Sequence, residues 1–267
     1  EQQENRDKHI KTITDRVHYL NNILNDFLSV EKLEKGKVKY NPAVFKLSKV
    51  VNEVVYNANM LLKDTKGNGT GLLAIAAAWA FAVTIAIFVS TYFGSPGAHL
   101  NPIVTIAGCV KSGDWGLFPT FIGAQLLGAM LGQLLVWLHY KPHYDATDDA
   151  GAIKASFCAD AAIKNTPFNF ISEAFASALA VVALGTFSSI EHGLGPFLVG
   201  ILVWAIGLGL GGTTGYAINP ARDLGPRIMH AILPIKNKGT SDWGYAWIPV
   251  LGPAAGAAIG AFILTIN

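Results

Sequence analysis

Gly215-Tyr216-Ala217-Ile218-Asn219-Pro220-Ala221-Arg222-Asp223 is the stretch that decides the fold of this chain. Asn is a preferred N-cap and Pro is favoured at the first helical position, so a helix is predicted to begin at Pro220. The Asn219 side chain then lies at the positive end of that helix. Arg222 falls in its first turn, where a cation opposes the helix macrodipole and therefore needs another role.

The composition is that of a membrane protein joined to a polar segment. Of the 267 residues, 51% are hydrophobic and only 14% are charged, against about 25% charged in ordinary soluble domains. The net charge of +2 is too small to indicate a nucleic-acid partner. Charged residues are concentrated in residues 1–66 and become rare from Gly67 onward. We therefore divide the chain into two domains, 1–66 and 67–267.

The second domain contains apolar runs long enough to cross a bilayer, for which about 20 residues suffice. Spans are predicted at about 71–93, 117–139, 168–189, 194–210 and 244–265, and half-length helices at Pro102 and Pro220. The stretch from His139 to Thr166 is predicted to be a polar connection. The fold class is therefore all-α: a membrane helix bundle with two half-helices, preceded by a soluble helical segment.

The two half-helix starts carry a family resemblance. Gly97-Ala98-His99-Leu100-Asn101-Pro102-Ile103 is a weaker copy of the stretch around Asn219, and both resemble the Asn-Pro-Ala boxes of the major intrinsic protein family, the aquaporins and glycerol facilitators. The resemblance covers roughly residues 66–267, and Asp223 after the arginine is typical of the glycerol-conducting branch. Ile103 replaces the usual Ala and either narrows the pore or repacks against a span.

The resemblance implies a passive channel for glycerol, water and other small neutral solutes. It also implies a multi-pass protein of the cell membrane, a homotetramer, and neither enzyme activity, cofactor, metal nor nucleic-acid partner. Three sets of residues carry the implied function. They are Asn101 and Asn219 at the pore midplane; Trp79, Gly207, Tyr216 and Arg222 in the selectivity filter; and His99, Glu173 and Asp223 as structural support.

Plainer interpretations of these residues stay open at this stage. Each Asn taken alone is a simple helix cap, and Arg222 taken alone is one half of a structural ion pair. Trp79 and Tyr216 are then ordinary aromatic residues of spans. Gly207 is expected to leave room where water-selective relatives carry histidine.

The first domain resembles a different family. The words Leu20-Asn21-Asn22-Ile23-Leu24-Asn25-Asp26-Phe27-Leu28 and Lys32-Leu33-Glu34-Lys35-Gly36-Lys37 resemble the dimerisation domain of a sensor histidine kinase, over roughly residues 5–62. The phosphoacceptor box and the glycine-rich nucleotide motifs are absent from the sequence. His9 and His18 are interpreted as helix-surface residues, and kinase activity is not supported.

The count of spans departs from the family pattern. The family has six spans in two inverted repeats, whereas five are predicted here, with the opening span missing and a join near Tyr56 to Lys66. This suggests a fusion. One alternative is a signalling or dimerisation chimera whose membrane part only anchors it, and another is a fusion that never assembles.

Overall fold

The computed structural model describes residues 71–187 and 193–266, and their regular structure is helical throughout. The predictions made for residues 1–66 lie outside the described residues. These are the kinase-like helices, the join near Tyr56 to Lys66 and the missing opening span. The fold class predicted from the sequence is confirmed for the part of the chain that the structure describes.

Five long apolar helices form the bundle: α1 (Gly71–Tyr92), α3 (Phe118–His139), α6 (Thr166–Phe187), α7 (Gly195–Leu210) and α9 (Ile248–Thr265). Four of them are long and apolar enough to cross a membrane, and α7, at 16 residues, is shorter. All five coincide with predicted spans. The last begins at Ile248 and not at 244, because residues 243–247 form turns.

Two shorter helices interrupt this series, and each follows an Asn-Pro pair. They are α2 (Pro102–Ser112) and α8 (Pro220–Ile232). The order of α1, α2 and α3 is span, half-helix, span, and the order of α7, α8 and α9 is the same. The described helices therefore show the repeat that the two boxes predicted.

The connection between α3 and α6 is more ordered than a polar linker. It contains two short helices, α4 (Lys141–Asp145) and α5 (Ala150–Ala155). Asp149 caps α5, because its carboxylate accepts hydrogen bonds from the backbone N–H groups of Gly151 and Ala152. The Asp-Ala-Gly sequence at 149–151 was a usable N-cap signal that the prediction of a plain connection overlooked.

Helix packing brings the half-helices to the centre of the bundle. The helix α6 lies along α9, and α1 lies along α7. The half-helix α2 packs against α9, and the half-helix α8 packs against α3. Each half-helix is thus held by the last span of the opposite repeat, which places both helix starts in the interior.

The outward faces of the spans are apolar. Leu127, Leu131, Leu135 and Leu138 recur along α3 at helical spacing and are 55–66% exposed. Helices that are apolar on their outer as well as their inner side are typical of membrane spans, where lipid covers the outer side.

Candidate functional site

The second box begins a helix as predicted. Asn219 has extended backbone, and its side-chain Oδ1 accepts hydrogen bonds from the N–H groups of Ala221 and Arg222, each at 3.1 Å. Pro220 occupies the first helical position, where its missing N–H does no harm. The predicted helix start at Pro220 is confirmed.

The first box repeats this geometry. Asn101 also has extended backbone, and its Oδ1 accepts from the N–H of Ile103 at 3.0 Å. Ile103 itself is 2% exposed and lies in the apolar core of the bundle. The extra bulk relative to alanine is therefore packed mainly inside the protein.

The two helix starts meet by exchanging hydrogen bonds. The Asn101 Nδ2 donates to the carbonyl of Ile218 at 2.9 Å, and the Asn219 Nδ2 donates to the carbonyl of Leu100 at 3.3 Å. Each amide thus binds the residue that precedes the other asparagine. An amide NH₂ has two N–H donors, so each asparagine keeps one for another acceptor.

A buried carboxylate shapes the loop before the second box. Glu173, on α6, is 1% exposed and accepts from the Thr214 hydroxyl at 2.6 Å and from the N–H groups of Ala217 and Ile218 at 2.9 Å each. The loop needs such support because Tyr216 and Ile218 have φ of 38° and 39°, a region that non-glycine residues seldom occupy. Glu173 therefore holds this loop from the neighbouring helix α6.

The loop before the first box is held by a different set of side chains. The imidazole Nδ1 of His99 lies 3.3 Å from the hydroxyl of Thr105, one turn into α2. Gln125, on α3, donates to the His99 carbonyl at 2.6 Å and to the Thr105 hydroxyl at 2.9 Å. His99 therefore contacts the half-helix that follows it. Sequence reasoning missed Gln125, although a glutamine inside a span was a visible signal.

Arg222 and Trp79 lie together. The Arg222 Cζ is 4.7 Å from the centroid of the Trp79 ring, which is a cation–π distance. The Arg222 Nη1 is buried without a hydrogen-bond partner among the described residues. The structure therefore brings these two predicted filter residues together. The Nη1 group of Arg222 can still donate a hydrogen bond to another acceptor.

Tyr216 and Gly207 also contact each other, but in an unexpected way. A Cβ added at Gly207 would lie 3.0 Å from the Tyr216 Cζ and 3.0 Å from the Ala76 Cβ. The space that Gly207 leaves is therefore filled by the tyrosine ring. Tyr216 is 5% exposed and belongs to the core cluster against which Trp79 packs.

These groups border one cavity of about 670 Å³. Its polar lining includes Asn101, Asn219 and Arg222, and its apolar lining includes Trp79, Tyr216 and Ile103. Gly207 is not among the described residues that line it. A mostly apolar cavity with a few convergent donors is typical of a small-molecule site.

Asp223 and Arg227 form a buried ion pair on α8. The Arg227 Nε donates to the Asp223 Oδ1 at 2.9 Å, and the Arg227 Nη2 donates to both carboxylate oxygens at 2.7 and 2.8 Å. The Arg227 side chain is 1% exposed and the Asp223 side chain is 0% exposed. The pair therefore holds the Asp223 carboxylate against its own helix.

A model of the major intrinsic protein family matches residues 43–264. A glycerol uptake facilitator protein of Streptococcus pneumoniae is 53% identical over 213 residues, which is 78% of this chain and 90% of that protein. The glycerol uptake facilitator protein 3 of Lactiplantibacillus plantarum is 48% identical over 78% of this chain and 88% of its own length.

A D/L-lactic acid transporter of Lactiplantibacillus plantarum is 39% identical over 80% of this chain and 91% of its own length. The X-ray structure of the aquaglyceroporin from Plasmodium falciparum superposes with a TM-score of 0.67 at 24% identity, covering 80% of this chain and 90% of that one. At that identity the superposition shows a shared fold.

Proposed function

The chain belongs to the major intrinsic protein family, and from that premise we propose that it is a passive membrane channel for glycerol, water and other small neutral solutes. The observation that carries the proposal is the meeting of two capped helix starts, at Asn101 and Asn219, on the wall of one cavity. Relatives named for glycerol uptake, at 53% and 48% identity, support glycerol as the first solute to test.

The midplane donors select for uncharged molecules with acceptor oxygens. One N–H of each asparagine amide is engaged in the exchange with the opposite loop, and the second is free to donate to a passing hydroxyl or water oxygen. Both helix starts point their positive ends toward this region, because Asn101 and Asn219 are N-caps. Positive helix ends disfavour cations and protons.

The filter combines a donor with an apolar wall. Arg222 keeps an unpartnered Nη1 among the described residues, and Trp79 and Tyr216 lie beside it. A polyol has hydroxyls along one edge and a carbon chain along the other, so it satisfies both at once. We infer that Arg222 binds the hydroxyls while the aromatic rings contact the carbons.

The proposal is tested by glycerol entry into vesicles that contain the purified full chain. Asn219→Asp keeps an oxygen to cap α8 but loses the Nδ2 donor, so glycerol permeability falls while folding is retained. Asn165→Asp is the matched control, because Asn165 is exposed and lies just before α6. Equal permeability of the Asn219→Asp variant, the control and the parent would falsify the proposed role.

The solute range is settled in the same vesicles. The relative named as a D/L-lactic acid transporter makes neutral lactic acid a necessary second solute. Water and glycerol are compared with lactic acid at a pH low enough to keep it uncharged. Faster passage of lactic acid than of glycerol would make lactic acid the preferred solute, and the proposed pore residues would stay the same.

The location and assembly are proposed together. We place the chain in the cell membrane as a multi-pass homotetramer. The exposed leucine stripe of α3 supports the membrane location, because lipid covers such faces. The mass of the protein in detergent measures the number of copies, and a monomer would contradict the tetramer.

The domain division stays a proposal as well. We propose a histidine-kinase-like helical segment over 1–66 and a channel domain over 67–267 that lacks its first helix. The family match begins at residue 43, so residues 43–66 fall within both descriptions. Crosslinking that shows helices of two copies paired at Leu20, Leu24 and Phe27, together with no solute flux, would favour the anchored dimerisation chimera over the channel.

A further inference from the structure

We propose that Arg227 is a positioning residue that sets the aperture of the filter. Its guanidinium ties two connections outside the spans, at Ala159 and at Ser241–Asp242, to the helix that carries Arg222. The inference rests on the proposed function above, since an aperture has meaning only for a channel. It concerns a residue that does not line the cavity.

The orientation of the guanidinium is fixed from within its own helix. Arg227 lies one turn after Asp223, and both side chains are almost completely buried. Three contacts of 2.7–2.9 Å join the Nε and Nη2 donors to the carboxylate. Such a forked pair fixes the plane of the guanidinium as well as its position.

The remaining donors reach backbone carbonyls on two separate connections. The Nη2 donates to the carbonyl of Ala159 at 3.0 Å, on the connection between α5 and α6. The Nη1 donates to the carbonyls of Ser241 at 2.6 Å and Asp242 at 3.2 Å, on the connection between α8 and α9. One buried side chain therefore holds both connections to the filter helix.

The connection that Arg227 holds is also bonded to the loop before the second box. Gly215 of that loop lies beside it, since a Cβ added there would be 3.8 Å from the Ala159 Cβ and 3.8 Å from the Asp160 carbonyl oxygen. The N–H of Ala162 also donates to the carbonyl of Thr213 at 3.0 Å. Gly215 directly precedes Tyr216, and a shift of Ala159 therefore shifts the wall that Tyr216 forms.

Surface ion pairs at the same place are weaker candidates for this role. Lys164 contacts Asp242 at 2.6 Å, but the lysine side chain is 63% exposed. Exposed pairs contribute little, because water and salt screen them. The buried guanidinium, with five donors in one plane, is the contact that a lysine cannot reproduce.

The test compares the parent with Arg227→Lys, which keeps the buried positive charge beside Asp223 but offers donors from a single point. Vesicles measure the permeability of a five-carbon polyol relative to glycerol. We expect this ratio to rise about tenfold, the lower end of the range in which a pocket discriminates one methylene. Lys164→Gln is the control, and its ratio is expected to match the parent.

Hydrogen exchange of the full chain in lipid nanodiscs separates positioning from general stability. The proposal expects faster exchange in Arg227→Lys at residues 157–162 and 240–245 together, with the spans protected as in the parent. Faster exchange throughout the helices would overturn it, since the role would then be one of overall stability. An unchanged ratio with unchanged exchange would overturn it too.

The two proposals fail in different ways. Should the parent pass no glycerol, the proposed channel function is wrong, and the exchange measurement still decides whether Arg227 holds the two connections. Should the parent pass glycerol with the same size limit as Arg227→Lys, the channel stands and the positioning role is wrong.

Discussion

Replacing Glu173 by glutamine tests how the loop before the second box is held. The Oε1 of Glu173 accepts two hydrogen bonds, from Thr214 and Ala217, and the Oε2 accepts one, from Ile218. Glutamine keeps one oxygen but turns an NH₂ group toward the Ile218 N–H. One buried donor is then left without an acceptor, which costs about 1–3 kcal/mol.

The size of this loss matters because the loop is under strain. Backbone in sparsely populated regions costs on the order of 1–3 kcal/mol for each residue, and both Tyr216 and Ile218 have positive φ. A loss of about 2 kcal/mol shifts the balance between the held and the relaxed loop by about thirtyfold. Relaxation moves the Ile218 carbonyl away from the Asn101 amide, so this hydrogen bond between the two helix starts is lost as well.

Two assays follow from this magnitude. Glycerol permeability of Glu173→Gln in vesicles is expected to fall well below that of the parent, and the melting temperature in detergent is expected to drop by about 4–8 °C. Ser177→Ala is the control, because Ser177 lies one turn further along α6, is 0% exposed, and has a hydroxyl without a partner in the described ranges. If Glu173→Gln has the glycerol permeability and melting temperature of the parent, or if Ser177→Ala loses as much of both, the Glu173 carboxylate does not hold the loop.

Two further predictions concern helix packing and the loops outside the spans. Gly256→Ala places a Cβ 2.1 Å from the Ala174 carbonyl oxygen, so the α6–α9 contact is lost. We expect a destabilisation of about 3 kcal/mol and a lower yield of folded protein in detergent. Gly128→Ala is the control, because a Cβ added there meets nothing within 4 Å, and it should fold as the parent does. Lys164 donates to Asp242 and holds the pKa of that carboxyl below its usual value. The stabilisation is therefore present above the unfolded pKa of about 3.9 and is lost as the pH falls through the lowered folded value. Because Lys164 is 63% exposed, the melting temperature of the parent should exceed that of Lys164→Gln only slightly at pH 7. The difference should fade below about pH 4, and a difference independent of pH would speak against this ion pair.

The sequence predicted local features well, because each depends on neighbours in the chain. The starts of α2 and α8 follow from the Asn-Pro pairs, and the five long helices follow from apolar runs. The short helix α5 was missed because its cap lies in a connection interpreted only by its polarity. Local signals of this kind specify helix ends, but they contain no distances between helices.

The contacts between distant residues needed the structure. Asn101 binds the carbonyl of Ile218, 117 residues away, and a backbone carbonyl has no signature in the sequence. The same holds for the carbonyls that Arg227 contacts. Gly207 was expected to leave room where water-selective relatives carry histidine, whereas the Tyr216 ring packs against Gly207, and only side-chain placement reveals this contact.

An electron cryomicroscopy map of the full chain in lipid nanodiscs with glycerol shows whether the two helix starts form a solute passage. We expect density for solute in single file through the cavity, within about 3 Å of the free amide donors of Asn101 and Asn219 and of the Arg222 guanidinium. A map in which the two asparagines lie apart, or in which side chains close the passage between them, would show that the chain is not this channel.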